Sequence, residues 1–585
     1  MKLLWKICPD TPPLIRDDLP RFLTECDRPT RVELEKDPAL PAGSWRRRVD
    51  WEGDVRVVRL AAGDPSSLGL AAYEFLEDLG FYFEISGPVI PSDIGWKRLS
   101  LGERVGRAPL RRRGIRQHVN FTMDLSGYPL EEAREYIRNL ARMGFNHITF
   151  HSYTGQWFEV RLPNRTVTAG DFFYGVRHPL PDDPFLRRRI RNRSVFCIPE
   201  IEPFFEDKEE RSRRAMAWLR AVMQEARRSG LFVQFSFEPY TFPNEEEALA
   251  ACEAIRASYP EIQCLELITR ETGGWGKADS LEEIRQAARE AFGSEAEQEP
   301  ALAESASECP RDLSTYLRDL GYVLKITRRL RERWSRDAKS PEVACGFYNS
   351  VPSHGRLSLS LMRRVVPDVE TWTVLASHGS RGVARNLRES GLTEADARHL
   401  MVYSWIEFDG LMYLQQNPVH GLRQLIEEMD QSVGLGTLKG MAFNHWRTAE
   451  NVTCARYAAE ATRQGPLAER PFYHRRAEIL GIGHPDLYAA SMMIIDDADG
   501  RATLDLPNVG FCAMWGGDRI GTLRWQLFDI AQRVEEEYWC AKVGSEVLAL
   551  SCLRCPHKDG ASGSGASGLG AAENIAAARA AGRIP

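Results

Sequence analysis

The chain has 585 residues, 43% hydrophobic and 27% charged, which is ordinary for a soluble globular protein and too long for a single core; about three domains is the natural division. A net charge of -6 argues against nucleic acid or an anionic membrane as the principal partner, since both select clustered positive charge. The 12 cysteines lack the short even spacing of a disulfide framework and read as reduced thiols in a cytoplasmic protein. No signal peptide is expected, because the start lacks an uninterrupted apolar stretch and a small-residue cleavage site. No apolar run approaches the roughly 18 residues of a membrane-spanning helix.

Residues 1–112 read as an α/β accessory domain. An alternating strand at 54–61 is followed by a turn and N-cap at Pro65, Ser66 and Ser67, then by a helix at 68–79 that Gly80 stops. A second strand at 81–85 ends at Gly87-Pro88. No nucleophile or paired carboxylate stands at its edges, so a docking role is expected. The basic runs at 46–48, 111–113 and 187–193 read as solvated faces or carboxylate partners.

From 113 to 465 the texture becomes a regular alternation of strand and helix. Strands are predicted at 115–122, 147–153, 231–237, 264–269, 343–348, 371–376, 401–406 and 438–443. Helices are predicted at 130–143, 211–228, 244–258, 312–334, 357–366, 393–398 and 421–433, with insertions at 154–210 and 273–310. Eight apolar strands, each followed by a helix, predict a (β/α)8 TIM barrel of class α/β. A doubly wound open sheet is the alternative, but NFTMDLSGYP after the first strand lacks the GxGxxG of a dinucleotide turn.

Residues 466–557 read as a helical C-terminal region that offers a homodimer face, with helices at 448–463, 468–480, 485–495 and 523–543. Pro507 and Gly516-Gly517 break the pattern. Cys552, Cys555 and His557 have CxxC spacing, yet a zinc site needs four ligands, so plain thiols and no metal are expected. Residues 558–585 are rich in Gly, Ser and Ala and read as a flexible tail. No cofactor is implied.

Side chains just past the C-terminal ends of barrel strands line the active face. Those positions hold His118, Asn120, His151, Tyr153, Glu238, Arg270, Glu271, Asn349, His354, His378, Glu407, Asp409, Asn444, His445, Trp446 and Arg447. A structural rim does not need so many titratable groups at one end. Glycosidic hydrolysis needs one acid to protonate the leaving oxygen and a second carboxylate to attack or to activate water. Glu271 after strand four and Glu407 after strand seven take the catalytic roles, with Glu238 and Asp409 as rivals. Arg270 alternates away from Glu271 and reads as an ion-pair partner. Trp157, Trp275, Trp405 and Trp446 fall near strand ends, where aromatic rings stack on sugar faces; some belong to the core. Arg447 and His445 suit a substrate carboxylate.

A small α/β domain ending in FLEDLGFYF, then RRRGIRQHVNF opening a barrel, then a helical C-terminal region resembles the α-glucuronidase group of glycoside hydrolases and the β-N-acetylhexosaminidase group. The resemblance covers 54 to about 490 in architecture and implies a two-carboxylate hydrolase of a uronic-acid or N-acetylhexosamine-containing glycan. In the α-glucuronidase-like pattern the acid follows strand four and the base carboxylate strand seven, which matches Glu271 and Glu407. Hexosaminidases that use the substrate acetamide carry Asp-Glu after strand four. Here Arg270-Glu271 stands instead, which speaks against that mechanism. Two readings stay open beside the glycosidase. One is a non-catalytic carbohydrate-binding barrel. The other is a metal-dependent hydrolase or isomerase using His118, His151, His354 and His378.

Overall fold

The computed structural model describes residues 3–119, 125, 128–152, 157–167, 200–204, 207–271, 276–348, 351–375, 389–406, 419–445 and 451–505. Eight parallel strands close into a barrel, in chain order Arg112–Val119, His147–Ser152, Phe232–Phe237, Cys264–Ile268, Glu342–Gly346, Thr371–Leu375, Leu400–Trp405 and Gly440–Asn444. The last strand pairs with the first, so the doubly wound alternative falls. Each is buried end to end or nearly so, and that double-sided burial is why the strands read as apolar runs. The first strand begins three residues before its predicted start, because Arg112 forms a bidentate ion pair with Glu342 at the N-terminal end of the barrel.

Alternation sorts each strand into two faces. Leu265 and Leu267, Val343 and Cys345, Trp372 and Val374, and Val402 join the main core under the helices. Ile268, Tyr348, Leu375, Tyr403 and Trp405 form a separate apolar cluster inside the C-terminal end of the barrel. Gly346 is required there: a Cβ would lie 2.8 Å from Cβ of Thr373 on the next strand. The helix Leu130–Met143 ends at Gly144, whose φ of 97° is the left-handed C-cap that lets the chain turn into strand two.

The second insertion is ordered as helices Leu281–Phe292 and Pro300–Glu308. A capping box between Ser280 and Glu283 starts the first of them. The first insertion contributes a hairpin, Val160–Leu162 with Arg165–Val167.

The N-terminal region is a five-stranded mixed sheet, Leu3–Ile7, Thr30–Lys36, Ser44–Glu52, Val55–Ala62 and Gly102–Arg107, with helices Pro13–Phe22 and Pro65–Asp78. Only Val55–Ala62 and Pro65–Asp78 among these correspond to predicted elements; the predicted 81–85 strand is the short Tyr82–Glu84, which pairs outside this sheet. The basic run at 46–48 pairs with carboxylates, Arg46 with Asp37, Arg47 with Asp78 and Arg48 with Asp50.

This region docks on the barrel through buried charge. Arg142 of the helix Leu130–Met143 donates from Nε and Nη2 to the two oxygens of Asp18 at 2.8 and 2.9 Å, and Tyr73 also donates to Asp18. Arg456 and Arg463, on the helix Val452–Gln464, both reach Glu77 at 2.7 Å. Arg476, on Glu469–Ile479, holds Glu84 at 2.6 Å. The last described helix, Pro485–Asp505, runs ten residues past its predicted end at 495. The predicted helix 523–543 and Cys552, Cys555 and His557 lie outside the described residues.

Candidate active site at the barrel mouth

The interior of most such barrels is filled by branched apolar side chains. Here strand one sends Arg116 and His118 inward, strand two His151, strand three Ser236 and Glu238, strand four Glu266 and strand six Thr373. Arg116 Nη1 donates to Glu266 Oε2 at 2.6 Å across the barrel, with both side chains almost fully buried. Thr373 donates to the other Glu266 oxygen, and the Arg116 guanidinium lies 4.8 Å from the Tyr403 ring. Burying an ion pair is costly and contributes little net stability, so this core is better explained by what it positions.

What it positions is His151. Arg116 Nη2 lies 3.0 Å from His151 Nδ1 and 2.9 Å from Ser236 Oγ. A guanidinium only donates, so Nδ1 accepts and carries no proton. Burial, then the charge of Arg116, holds His151 well below the ordinary histidine range, so the ring is neutral. Its one proton therefore sits on Nε2, which faces Glu238 Oε1 at 3.7 Å. His118 packs beside it, ring centroids 4.9 Å apart, and its Nε2 is 2.9 Å from the Tyr403 hydroxyl. Burial and Arg116 also keep His118 neutral.

Three carboxyls converge past strands three and four. Glu238 is buried and held well above the ordinary carboxylate range by that burial, with Asp319 and Glu271 pushing the same way and Arg116 and Arg270 opposing. Glu271 follows strand four and is half-buried; desolvation pushes it up to about 7. Asp319, on the helix Leu313–Trp334, is buried and raised to about 6, although the Arg270 backbone N–H donates to it at 2.8 Å. The Arg270 guanidinium lies 5.0 Å from the Tyr240 ring, and its Nε is 4.0 Å from Asp319. Burial thus favours the protonated form of Glu238, and Glu271, raised to about 7, is poised to give up or take a proton at neutral pH.

Trp405, Tyr403 and Tyr348 form an aromatic wall on strands seven and five, with centroids 5.3 Å apart between Tyr403 and Trp405 and 6.5 Å between Tyr348 and Trp405. Asn444 is the cross-strand partner of both Trp405 and Arg116. The structure thus brings His118, His151, Glu238, Arg270, Glu271, Trp405 and Asn444 to one end of the barrel.

Three expected site residues sit elsewhere. Trp157 is fully buried against Trp218, 5.5 Å between centroids, and its carbonyl accepts from Tyr259; it belongs to the core. His354 stacks on Tyr316 at 5.6 Å and its Nε2 lies 3.0 Å from the Cys309 carbonyl, so it fastens helices together. His445 alternates outward from Asn444: its Nδ1 is 2.9 Å from the Tyr136 hydroxyl, and its carbonyl accepts from Gln117. Asn120, Tyr153, Trp275, Asn349, His378, Glu407, Asp409, Trp446 and Arg447 lie outside the described residues.

Arg116, Glu266, Ser236, Tyr348, Tyr403 and Asp319 join the site without having been expected there. Period-two reading of RGIRQHV and CLELI puts Arg116 and Glu266 on the inward face. Asp319 falls on the apolar stripe of its helix, between Tyr316 and Val323, where an acid stands out. Among the described residues no three His, Cys, Asp or Glu side chains gather as metal ligands. Among the described residues no helix is long and apolar enough to cross a membrane.

No family model and no curated protein matches the sequence. Among solved structures, a GH138 enzyme targeting pectin rhamnogalacturonan II aligns at TM-score 0.50 and 10% identity, over 86% of this chain and 56% of that one. The fold is shared with glycoside hydrolases. The GH20 chitobiase of Flavobacterium johnsoniae aligns at TM-score 0.44 and 10% identity, over 86% of this chain and 71% of that one. The structure of CpGH84D aligns at TM-score 0.45 and 9% identity, over 84% and 70%. The chain spans little more than half of the GH138 enzyme's length, 56%.

Proposed function

We propose that this chain is a glycoside hydrolase whose general acid is Glu271. The carrying observation is a half-buried carboxyl, raised to about 7, at the C-terminal mouth of a closed parallel barrel. Such a group is protonated often enough at neutral pH to deliver a proton to a leaving glycosidic oxygen and is strong enough an acid to do so. Glu407, which follows Ile406 in the sequence past the end of strand seven, takes the second role, as nucleophile or as base for water. Strands five and six separate strand four from strand seven around the barrel. Trp405 and Tyr348 supply the apolar wall on which a pyranose face stacks. The glycan is of the uronic-acid or N-acetylhexosamine-containing kind, a class in keeping with the pectin-directed GH138 enzyme that shares the fold.

The test is hydrolysis of a panel of aryl and disaccharide glycosides, glucuronides, galacturonides, N-acetylhexosaminides and neutral hexosides, by the wild type and Glu271→Gln. A general acid matters most where the leaving group needs a proton. Glu271→Gln is expected to lower kcat by about 10²–10⁴-fold on a disaccharide and far less on a dinitrophenyl glycoside, whose phenolate leaves unprotonated. Equal rates for Glu271→Gln and wild type on the disaccharide sink the assignment.

A further inference from the structure

Among the described residues, two buried polar side chains at the mouth have no hydrogen-bond partner for their polar atoms. Asn444 is wholly buried, and neither its Oδ1 nor its Nδ2 has a hydrogen-bond partner among the described residues. Trp405 keeps 6% of its surface, and its Nε1 likewise has none. The two are cross-strand partners at the C-terminal ends of strands seven and eight. Partners in a parallel pair share a face of the sheet, and adjacent strands lie about 4.8 Å apart. Trp405 packs on Tyr403 and Tyr348 inside the barrel, so that shared face is the interior. Phe443, between Ala442 and Asn444, belongs to the outer core, which fixes the alternation. Burying an amide without a partner costs roughly 1–3 kcal/mol in proteins, and such groups are rare. Here two stand side by side at the end of the barrel that the proposed reaction uses.

The geometry points to a clamp in which Asn444 and Trp405 grip two adjacent hydroxyls of the glycone, the sugar ring whose bond is cut. The inference rests on the glycosidase reading and names the part of the substrate that this wall reads. The donor and acceptor inventory makes the choice. Asn444 offers an acceptor and a donor edge, and Trp405 offers one donor. A carboxylate only accepts and leaves Oδ1 bare. A vicinal diol both donates and accepts: one hydroxyl gives its proton to Oδ1 while receiving from Nδ2, and the neighbouring oxygen receives from Nε1. Both terminal nitrogens of Arg116, the partner of Asn444 on its other side, are committed to Glu266, His151 and Ser236, and of its donors only Nε has no partner among the described residues; Asn444 alone pairs with Trp405, so the diol-reading edge is the amide and the indole. Tyr348 and Trp405 present an apolar surface beside this edge for the C–H face of the same ring.

The experiment uses the full chain and compares wild type, Asn444→Leu and Trp405→Phe. Asn444→Leu replaces an unsatisfied amide by an apolar side chain of similar size, and Trp405→Phe keeps an aromatic ring while deleting the N–H. Both are expected to unfold at or above the wild-type Tm. On the best glycoside of the panel, kcat/KM is expected to fall about 100-fold for Asn444→Leu and about 10-fold for Trp405→Phe. Deoxy analogues of that glycoside locate the diol: removing one of its hydroxyls is expected to slow the wild type about 100-fold and to leave Asn444→Leu unaffected by the same change. If both variants fold and keep the wild-type kcat/KM, the clamp is wrong and the glycosidase reading stands. The same conclusion follows if no single deoxygenation discriminates wild type from Asn444→Leu. Wild type that hydrolyses no glycoside, yet gains Tm with a free hexose or hexuronic acid in an Asn444-dependent way, overturns the hydrolase reading and keeps the clamp. Neither turnover nor sugar-dependent Tm overturns both.

Discussion

At the scale of single residues, the mouth is governed by desolvation. Glu271 is raised to about 7 because burial penalises its anion, with no charged partner required. Its folded pKa lies above its unfolded one, so the stabilisation it brings is complete below about pH 4.5 and is lost as pH rises through about 7. Two outcomes are expected. The kcat/KM of the wild type falls on the alkaline side with an apparent pKa of about 7, the pH at which the acid loses its proton. Glu271→Gln, which cannot ionise, gains about 1–3 kcal/mol over wild type at pH 8 and nothing at pH 4, because each pKa unit corresponds to about 1.4 kcal/mol and partial solvent access reduces the total. Urea unfolding at the two pH values checks it; a gain of the same size at both would mean that the side chain is simply a poor fit.

His151 is equally constrained. With Nδ1 accepting from Arg116 and Nε2 protonated toward Glu238, its tautomer is set by geometry. Histidine-selective ¹⁵N labelling is expected to show an Nε2–H imidazole for His151 that stays neutral well below the ordinary histidine range. An Nδ1–H tautomer, or titration near pH 6.5, would contradict the arrangement drawn for Arg116.

At the scale of elements, the barrel strands are legible in the sequence and several others are not, for one physical reason. Strands buried on both faces, such as Leu400–Trp405, are largely apolar and announce themselves. Thr30–Lys36 and Ser44–Glu52 carry one solvated face, occupied by a lattice in which Arg31 and Arg59 bridge Glu33 and Glu52. Their arginines and glutamates mask the alternation. The helix Leu281–Phe292 is obscured by the acidic stretch around it, although Ser280 and Glu283 spell its start. The site divides in the same way. Glu271, His118 and His151 are readable because strand ends are where a barrel keeps its chemistry. Arg116 and Glu266 lie one layer deeper, where apolar filling is the rule and a charge is not expected.

That deeper layer is testable. Glu266→Leu alone strands the Arg116 guanidinium in the interior and is expected to destabilise by about 3–5 kcal/mol. Adding Arg116→Met removes the stranded charge and is expected to restore most of that stability while leaving activity low, because His151 is no longer held. Recovery of both stability and kcat in the double variant would show that the ion pair has no part in positioning.

At the scale of the molecule, the three regions are joined by charge pairs that water does not reach. Arg142 with Asp18, Arg456 and Arg463 with Glu77, and Arg476 with Glu84 all cross from the N-terminal sheet region to the barrel or its following helices. Each guanidinium is nearly inaccessible, so each depends on a carboxylate contributed from far along the chain, as with Glu84 and Arg476, 392 positions apart. Removing residues 1–112 would leave Arg142 without Asp18, Arg456 and Arg463 without Glu77 and Arg476 without Glu84, four buried cations with fewer anions to answer them. The eight-stranded unit is therefore not a separable module: expressed by itself it should be insoluble or molten, and whatever chemistry the mouth performs is tied to the first hundred residues, none of which comes near the mouth in the described pairings.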